Sequence, residues 1–266
     1  MEYLFRQWEA FSAEVKAASR VLLLSDYDGT LTPIVGRPED AVLSPEVREK
    51  LSILAGRPDF NVGIVSGRPL LEAQVLVGIE GIYYAGNHGL EIEGPGLSYI
   101  NPEAEAARAE MKNLAREFTE RLGGIQGVII EDKDLSLSVH YRMVREGEEG
   151  RVTEVFHEIT GPPVREGKIR TSSGKKVLEV RPPIDWHKGK AVEAIREQIR
   201  QVLGGEEGLV IYLGDDTTDE DVFRMLHRPE GWGIYIGREN SESKAGYYLS
   251  STEEVGTFLT RLLELR

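Results

Sequence analysis

A chain of 266 residues is long enough for one large domain or two of moderate size, and its 40% apolar and 29% charged content excludes fibrous and disordered classes. Lys and Arg number 32 against 45 Asp and Glu, and the net charge of −13 argues against a polyanionic partner such as nucleic acid. The absence of cysteine excludes disulfides, thiolate catalysis and cysteine-held metals, and it suits a reducing compartment.

Leu4, Trp8, Phe11 and Val15 recur at helical spacing and predict an amphipathic helix laid on the body of the protein or over a sheet edge. VLLLSD (21–26) is a short apolar run that opens into turn residues, as a buried parallel strand does. SPEVREKLSIL (44–54) carries a Ser cap followed by Pro and Glu, which predicts a helix, and FNVGIVSG (60–67) reads as the next strand. Further strands are expected at 81–86 and 90–93. An Ala- and Glu-rich helix follows at 101–122, then two strand-like runs within 127–142, a helix near 148–160 and two short strands within 163–183. The βα rhythm then resumes with a helix at 188–203, a strand at 208–216, a helix from Thr218, a strand at 233–237 and a helix at 252–265. The expected fold is α/β: a doubly wound parallel sheet of Rossmann type in two parts, 1–98 and 182–266, with an inserted α+β domain at 99–181.

No apolar run approaches the roughly 20 residues that span a bilayer, and the acidic N-terminus lacks the pattern of a secretory signal. The chain is therefore expected to be mature, cytoplasmic and monomeric, with no membrane partner.

Chemistry concentrates where strands end. In open α/β sheets ligands sit beyond the carboxyl ends of the strands, and Asp26-Tyr27-Asp28-Gly29-Thr30-Leu31-Thr32 stands there. Asp26 and Asp28 are two apart, so in extended chain both point one way, and like charges so placed call for a cation or a proton. Taken alone, the same residues fit an Asx-rich turn with a helix-capping Thr better, and it is the second acidic run that turns the balance. A second acidic run, Gly214-Asp215-Asp216-Thr217-Thr218-Asp219-Glu220-Asp221, follows another apolar strand. One Mg²⁺ shared by the two runs explains both, although Asp219, Glu220 and Asp221 also suit the acidic first turn of a helix. Ser66-Gly67-Arg68 offers a hydroxyl and turn amides to an anion. Lys188 opens a helix and offers a point charge to phosphate, or is a solvated surface lysine. His157, His187 and His227 lack the spacing of a metal site and read as structural or surface residues. The phosphate loop, the dinucleotide fingerprint, the zinc-protease motif and the serine elbow are all missing.

DYDGTLT, then SGR, then a lysine, then GDDTTDED, in that order and at those places, resembles the haloacid dehalogenase-like phosphohydrolases. GNHGLEIE (86–93), SLSVHYR (136–142) and GKKVLEVRP (174–182) narrow the resemblance to the trehalose-6-phosphate phosphatases over roughly residues 20 to 240. The resemblance implies that Asp26 is the nucleophile and Asp28 the general acid and base. It further implies that Asp26, the Asp28 carbonyl and Asp215 hold Mg²⁺, with Asp216 and Asp219 in support. Ser66 and Lys188 would hold the phosphoryl group, supported by Gly67 and Arg68. The insert would be a cap that reads the sugar through Glu131, Lys133, Arg142, Lys175 and Glu179, with Asn87 and His88 at its boundary and His140 and Tyr141 packed inside it. EDKD (131–134) also fits an ordinary hairpin turn. The implied substrate is trehalose 6-phosphate. The alternatives are a sucrose-phosphate or mannosylphosphoglycerate phosphatase, or a phospho-acceptor or sugar-phosphate-binding module that does not turn over.

Overall fold

The computed structural model describes residues 1–205, 208–226, 231–239 and 242–265, so His227 lies outside the described residues. The chain divides into two compact units, one of Met1–Tyr99 with Trp186–Arg266 and the other of Ile100–Asp185.

The first unit runs β1 (Glu2–Tyr3), α1 (Trp8–Ala17), β2 (Val21–Ser25), α2 (Pro45–Ala55), β3 (Phe60–Val65), α3 (Leu70–Val77), β4 (Tyr83–Gly86), β5 (Glu91–Gly94) and β6 (Leu97–Ile100). The second runs α4 (Pro102–Leu122), β7 (Ile129–Asp132), β8 (Leu137–His140), α5 (Glu149–Arg165), β9 (Arg170–Gly174) and β10 (Val177–Arg181). The chain then returns to the first unit with α6 (Lys188–Val202), β11 (Leu209–Gly214), α7 (Glu220–Phe223), β12 (Gly231–Ile236), β13 (Tyr247–Leu249) and α8 (Thr252–Leu263).

The first unit is a sheet of order β1-β13-β12-β11-β2-β3-β4-β5-β6, and β1 through β4 in that order pair in parallel. Its central strand β2 is buried along its whole length, because its alternate side chains go to different cores. Val21 and Leu23 join Phe11, Leu51 and Phe258 on one face, while Leu22 and Leu24 join Val192, Ile195 and Phe223 on the other. A strand covered on both faces must be apolar throughout, which is why VLLLS shows no alternation. The helices start where the caps say: Ser44 Oγ accepts from the Val47 amide at 3.2 Å and Asn101 Oδ1 from the Glu103 amide at 3.0 Å. The fold is thus the doubly wound α/β sheet that the sequence predicts, with an α+β insert.

Three departures have physical reasons. The first helix begins at Trp8, not near Leu4, because Glu2–Tyr3 is drawn into the sheet as an edge strand beside Tyr247–Tyr248. Leu4 still reaches the core from a 3₁₀ turn, and Phe11 packs against Trp232 and Phe258 at 5.0 and 5.6 Å between ring centres. Helix α5 does not stop near 160 but continues through Pro162 and Pro163. Those prolines occupy its last turn and forfeit only their own bonds to the carbonyls of Glu158 and Ile159, while Val152, Phe156 and Ile159 anchor the helix to the core upstream. Helix α3 and strands β6 and β13 are not anticipated by the sequence pattern, which offers them little periodicity.

The second unit is an antiparallel sheet of order β7-β8-β10-β9 with α4 and α5 on one face. Leu137, Val139, Leu178 and Val180 turn to the helices and pack with Phe118 and Phe156, whose rings stack at 5.4 Å. Among the described residues, no helix is long and apolar enough to cross a membrane.

Candidate active site

Four adjacent strands, β11, β2, β3 and β4, end side by side, and each delivers one of the expected motifs. Asp26 follows β2, Asp215 follows β11, Ser66 follows β3 and Asn87 follows β4. All four are buried, as are Lys188 at the first position of α6 and Asp219.

Lys188 is the hub. Its Nζ lies 2.7 Å from Asp26 Oδ1 and 2.7 Å from Asp219 Oδ1, so it is not a solvated surface lysine. Burial works against its charge, yet Asp219 and Asp26 outweigh that and hold the ammonium well above its ordinary pKa. Asp219 accepts on both oxygens. Oδ1 takes Lys188 and the Tyr212 hydroxyl at 2.6 Å, and Oδ2 takes the Asp215 and Asp216 amides at 3.0 Å each. With no exposed surface and four donors, Asp219 positions its neighbours and also closes the capping box with Asp216. Asp216 itself caps the following turn through the Thr217 amide at 2.7 Å.

Ligand atoms of Asp26, Asp215 and Asp219 lie within 4.8 Å of one another. Burial pushes the Asp26 carboxyl well above the usual carboxylate range; Lys188 opposes this, while Asp219 and Asp215 add to it. Three buried carboxylates against one ammonium leave a deficit of positive charge, which suits a hard divalent cation with oxygen ligands. Asp26 and Asp215 carry that fit, because the oxygens of Asp219 are already engaged. Gly29 keeps the cluster open: its φ is +87°, and a Cβ there would meet Asp215 Oδ2 at 2.3 Å.

Asp28 takes a different partner. Arg68 Nε reaches its Oδ2 and Arg68 Nη2 its Oδ1, both at 2.7 Å, and the Asp28 side chain is 41% exposed against 5% for Arg68. The Asp28 carboxylate is not part of the three-carboxylate cluster. The Arg68 side chain is therefore occupied, while Ser66 Oγ accepts from the Arg68 amide at 3.2 Å. Asn87 and His88 have positive φ of 50° and 58°, and the turn they form is tied down by the His88 amide on Ser66 O at 2.9 Å. Gly67 lies under the His88 ring, where a Cβ would approach Cε1 to 2.6 Å.

In the second unit, register places Glu131, Ser138, Glu179 and Ser172 in one row across all four strands, on the face away from the helices. Ser138 Oγ is buried with no hydrogen-bond partner. Lys133 is buried in the β7–β8 turn with its Nζ 3.5 Å from Glu131. Arg142 and Lys175 lie at the opposite end of the sheet, where Arg142 Nη2 donates to Lys175 O at 2.6 Å. The expected residues of this unit thus form two groups. His140 is a correction: its Nε2 pairs with Glu131 Oε2 at 2.8 Å on the polar face, because strand alternation sends Val139 inward and His140 outward. Tyr141 does pack against the core. The partners that sequence reasoning missed are Tyr212, Ser138, His140 and the side-chain role of Arg68. The strand register could have revealed Ser138 and His140, but nothing in the sequence marks Tyr212.

Residues 24–253 match the model of the trehalose-phosphatase family. The chain is 37% identical to trehalose 6-phosphate phosphatase RA3 of Zea mays over 272 residues, covering 96% of this chain and 73% of that protein. It is 34% identical to trehalose-phosphate phosphatase B of Arabidopsis thaliana over 268 residues, covering 96% and 70%. The solved C-terminal domain of the C. albicans trehalose-6-phosphate phosphatase superposes with a TM-score of 0.81 at 25% identity, over 97% of both chains. A haloacid dehalogenase-like hydrolase of Bacteroides thetaiotaomicron shares the fold, with a TM-score of 0.61 at 17% identity over 91% of this chain and 99% of that one. The motifs at the strand ends, the family match and these relatives agree: the chain belongs to the trehalose-phosphatase family.

Proposed function

We propose that this chain is a Mg²⁺-dependent phosphatase that hydrolyses trehalose 6-phosphate to trehalose and phosphate. The observation that carries the reading is the buried Asp26–Lys188–Asp219 arrangement beside Asp215, at the ends of adjacent parallel strands.

Asp26 attacks phosphorus, and the bond from phosphorus to the sugar oxygen breaks as the aspartyl-phosphate forms. The departing oxygen takes a proton from Asp28. Water then gives a proton back to Asp28 and attacks phosphorus, which frees Asp26 and releases phosphate. Lys188, fixed by Asp219, orients Asp26 and lends positive charge to the phosphoryl oxygens, with Ser66 as a hydroxyl donor. Asp26 and Asp215, with the main-chain carbonyl of Asp28, would hold Mg²⁺, which when bound offsets the repulsion between carboxylate and phosphate dianion.

The second unit would read the sugar. A disaccharide presents many hydroxyl donors and acceptors, and the row Glu131–Ser138–Glu179 with Lys133 offers charged and hydroxyl partners on one sheet face. Asn87 and His88 would add contacts from the turn after β4, and Arg142 and Lys175 from the far end of the second sheet.

The test is phosphate release from trehalose 6-phosphate, sucrose 6-phosphate, glucose 6-phosphate and p-nitrophenyl phosphate, each with Mg²⁺ and with chelator. A Mg²⁺-dependent preference for trehalose 6-phosphate is expected. Preference for another sugar phosphate keeps the chemistry and discards the substrate; no release with any of them rejects the reading.

A further inference from the structure

Among the described residues, every buried charge at the strand ends has a place in that mechanism except the guanidinium of Arg68. As the arginine of the SGR turn, which offers amides to an anion, it would ordinarily be read as a phosphate ligand, and its surroundings speak against that. Nη1 is paired with Glu72, and Nη2 also donates to Pro38 O at 2.8 Å. The guanidinium carbon stands 5.4 Å from the centre of the Tyr27 ring. Burial disfavours its charge, but Asp28 and Glu72 outweigh this. Three anchors and burial therefore fix the fork without help from Asp28, and the fork then takes both oxygens of the half-exposed Asp28 at 2.7 Å. A bidentate pair fixes the plane of a carboxylate as well as its position, which a point charge does not.

We propose that Arg68 is a positioning residue for the Asp28 carboxyl, fixing its plane so that the oxygen that carries the proton, and yields its contact with the fork while it does, faces the leaving oxygen, and not a ligand of the transferred phosphoryl group. The inference rests on the reading of Asp28 as general acid. Its chemical consequence is selective: a sugar alkoxide must be protonated as it leaves, whereas p-nitrophenolate is stable without a proton.

The experiment compares Arg68→Gln with wild type on trehalose 6-phosphate and p-nitrophenyl phosphate. Misdirecting a general acid should lower kcat on the sugar phosphate by about 10²-fold. KM should change little, and the loss on the aryl phosphate should be at least about tenfold smaller, since its leaving group asks little of the acid. Arg68→Lys should restore only part of the loss, for lack of a fork. In an Asp28→Asn background Arg68→Gln should cost nothing further. Should Arg68→Gln fail to fold, Glu72→Gln keeps the guanidinium and loosens one anchor, and it should show the same selectivity at smaller size. Equal losses on both substrates, a rise in KM alone, or full additivity with Asp28→Asn would overturn the proposal in favour of phosphoryl binding. A wild type that cleaves neither substrate rejects the reading of the site itself, a result distinct from cleavage without selectivity.

Discussion

Apart from the buried Lys133 of the second unit and the half-exposed Asp28 of the first, the two units carry their charges in opposite ways. In the first, Lys188 is 2% exposed and Asp219 not at all, and between them they hold Asp26, Tyr212 and two backbone amides. In the second, Glu131, His140 and Glu179 lie along a sheet face, partly open, with partners drawn from the same face: His140 on Glu131, Ser172 and Arg181 on Glu179. A buried charge is expensive to desolvate and stays only where several partners fix it, which is what a reacting centre needs. A half-open polar row keeps donors and acceptors that can be exchanged for sugar hydroxyls. On the proposed reading, rigidity is invested where the phosphoryl group would react and adaptability where the leaving group would be recognised.

That contrast can be broken most sharply at Asp26. Asp26→Asn removes the nucleophile, so phosphate release should fall by about 10⁴-fold or more, and intact mass should show no phosphorylated chain during turnover. Lys188→Met should inactivate as well, but it should also destabilise. Two buried carboxylates lose their common counter-charge at a cost of about 3–5 kcal/mol. A Tm lowered by about 10 °C in calorimetry is the expected result. On the other unit, Glu179→Gln should lower kcat/KM for trehalose 6-phosphate by about 10- to 100-fold, leave p-nitrophenyl phosphate unchanged and hardly move Tm. If it destabilises as Lys188→Met does, the two units do not differ in the way described.

The smallest effect concerns pH and sharpens the account of Asp26. Its folded pKa is raised, so the folded chain binds that proton more tightly than the unfolded one. The group therefore supports the fold below its unfolded pKa, and that support is lost as pH rises through the folded value. In chelator at pH 7, Asp26→Asn should thus raise Tm slightly, and the gain should vanish at acid pH. A lower Tm at pH 7 would mean that its pairing with Lys188 outweighs the burial of the carboxylate.

Much of this was legible in the sequence because local chemistry and fold position coincide. A buried parallel strand must be apolar throughout and its carboxyl end must open into a loop, so VLLLS followed by DYDGT, and LVIYLG followed by DDTTDED, announce both the sheet and the site. What stayed hidden depends on contacts between distant segments. Nothing near Lys188 in the chain says that it lies between Asp26 and Asp219, 162 and 31 residues away. Tyr212 reads as one more strand aromatic, and Arg68 as part of an anion turn, until Asp28 and Glu72 arrive in space. At the N-terminus the helical stripe of Leu4, Trp8, Phe11 and Val15 was real as a core pattern but did not mark the helix start. Edge pairing of Glu2–Tyr3 decided that, and pairing is not written in periodicity.

The most direct test of the central claim, that the first unit carries the chemistry and the second the choice of sugar, is one ratio. It is kcat/KM for trehalose 6-phosphate over that for p-nitrophenyl phosphate, measured with saturating Mg²⁺ in wild type, Lys188→Arg and Glu179→Gln. The account predicts that Lys188→Arg lowers both rates together and leaves the ratio nearly unchanged, while Glu179→Gln collapses the ratio by about 10-fold or more. A ratio that survives Glu179→Gln, or that collapses with Lys188→Arg, would contradict it.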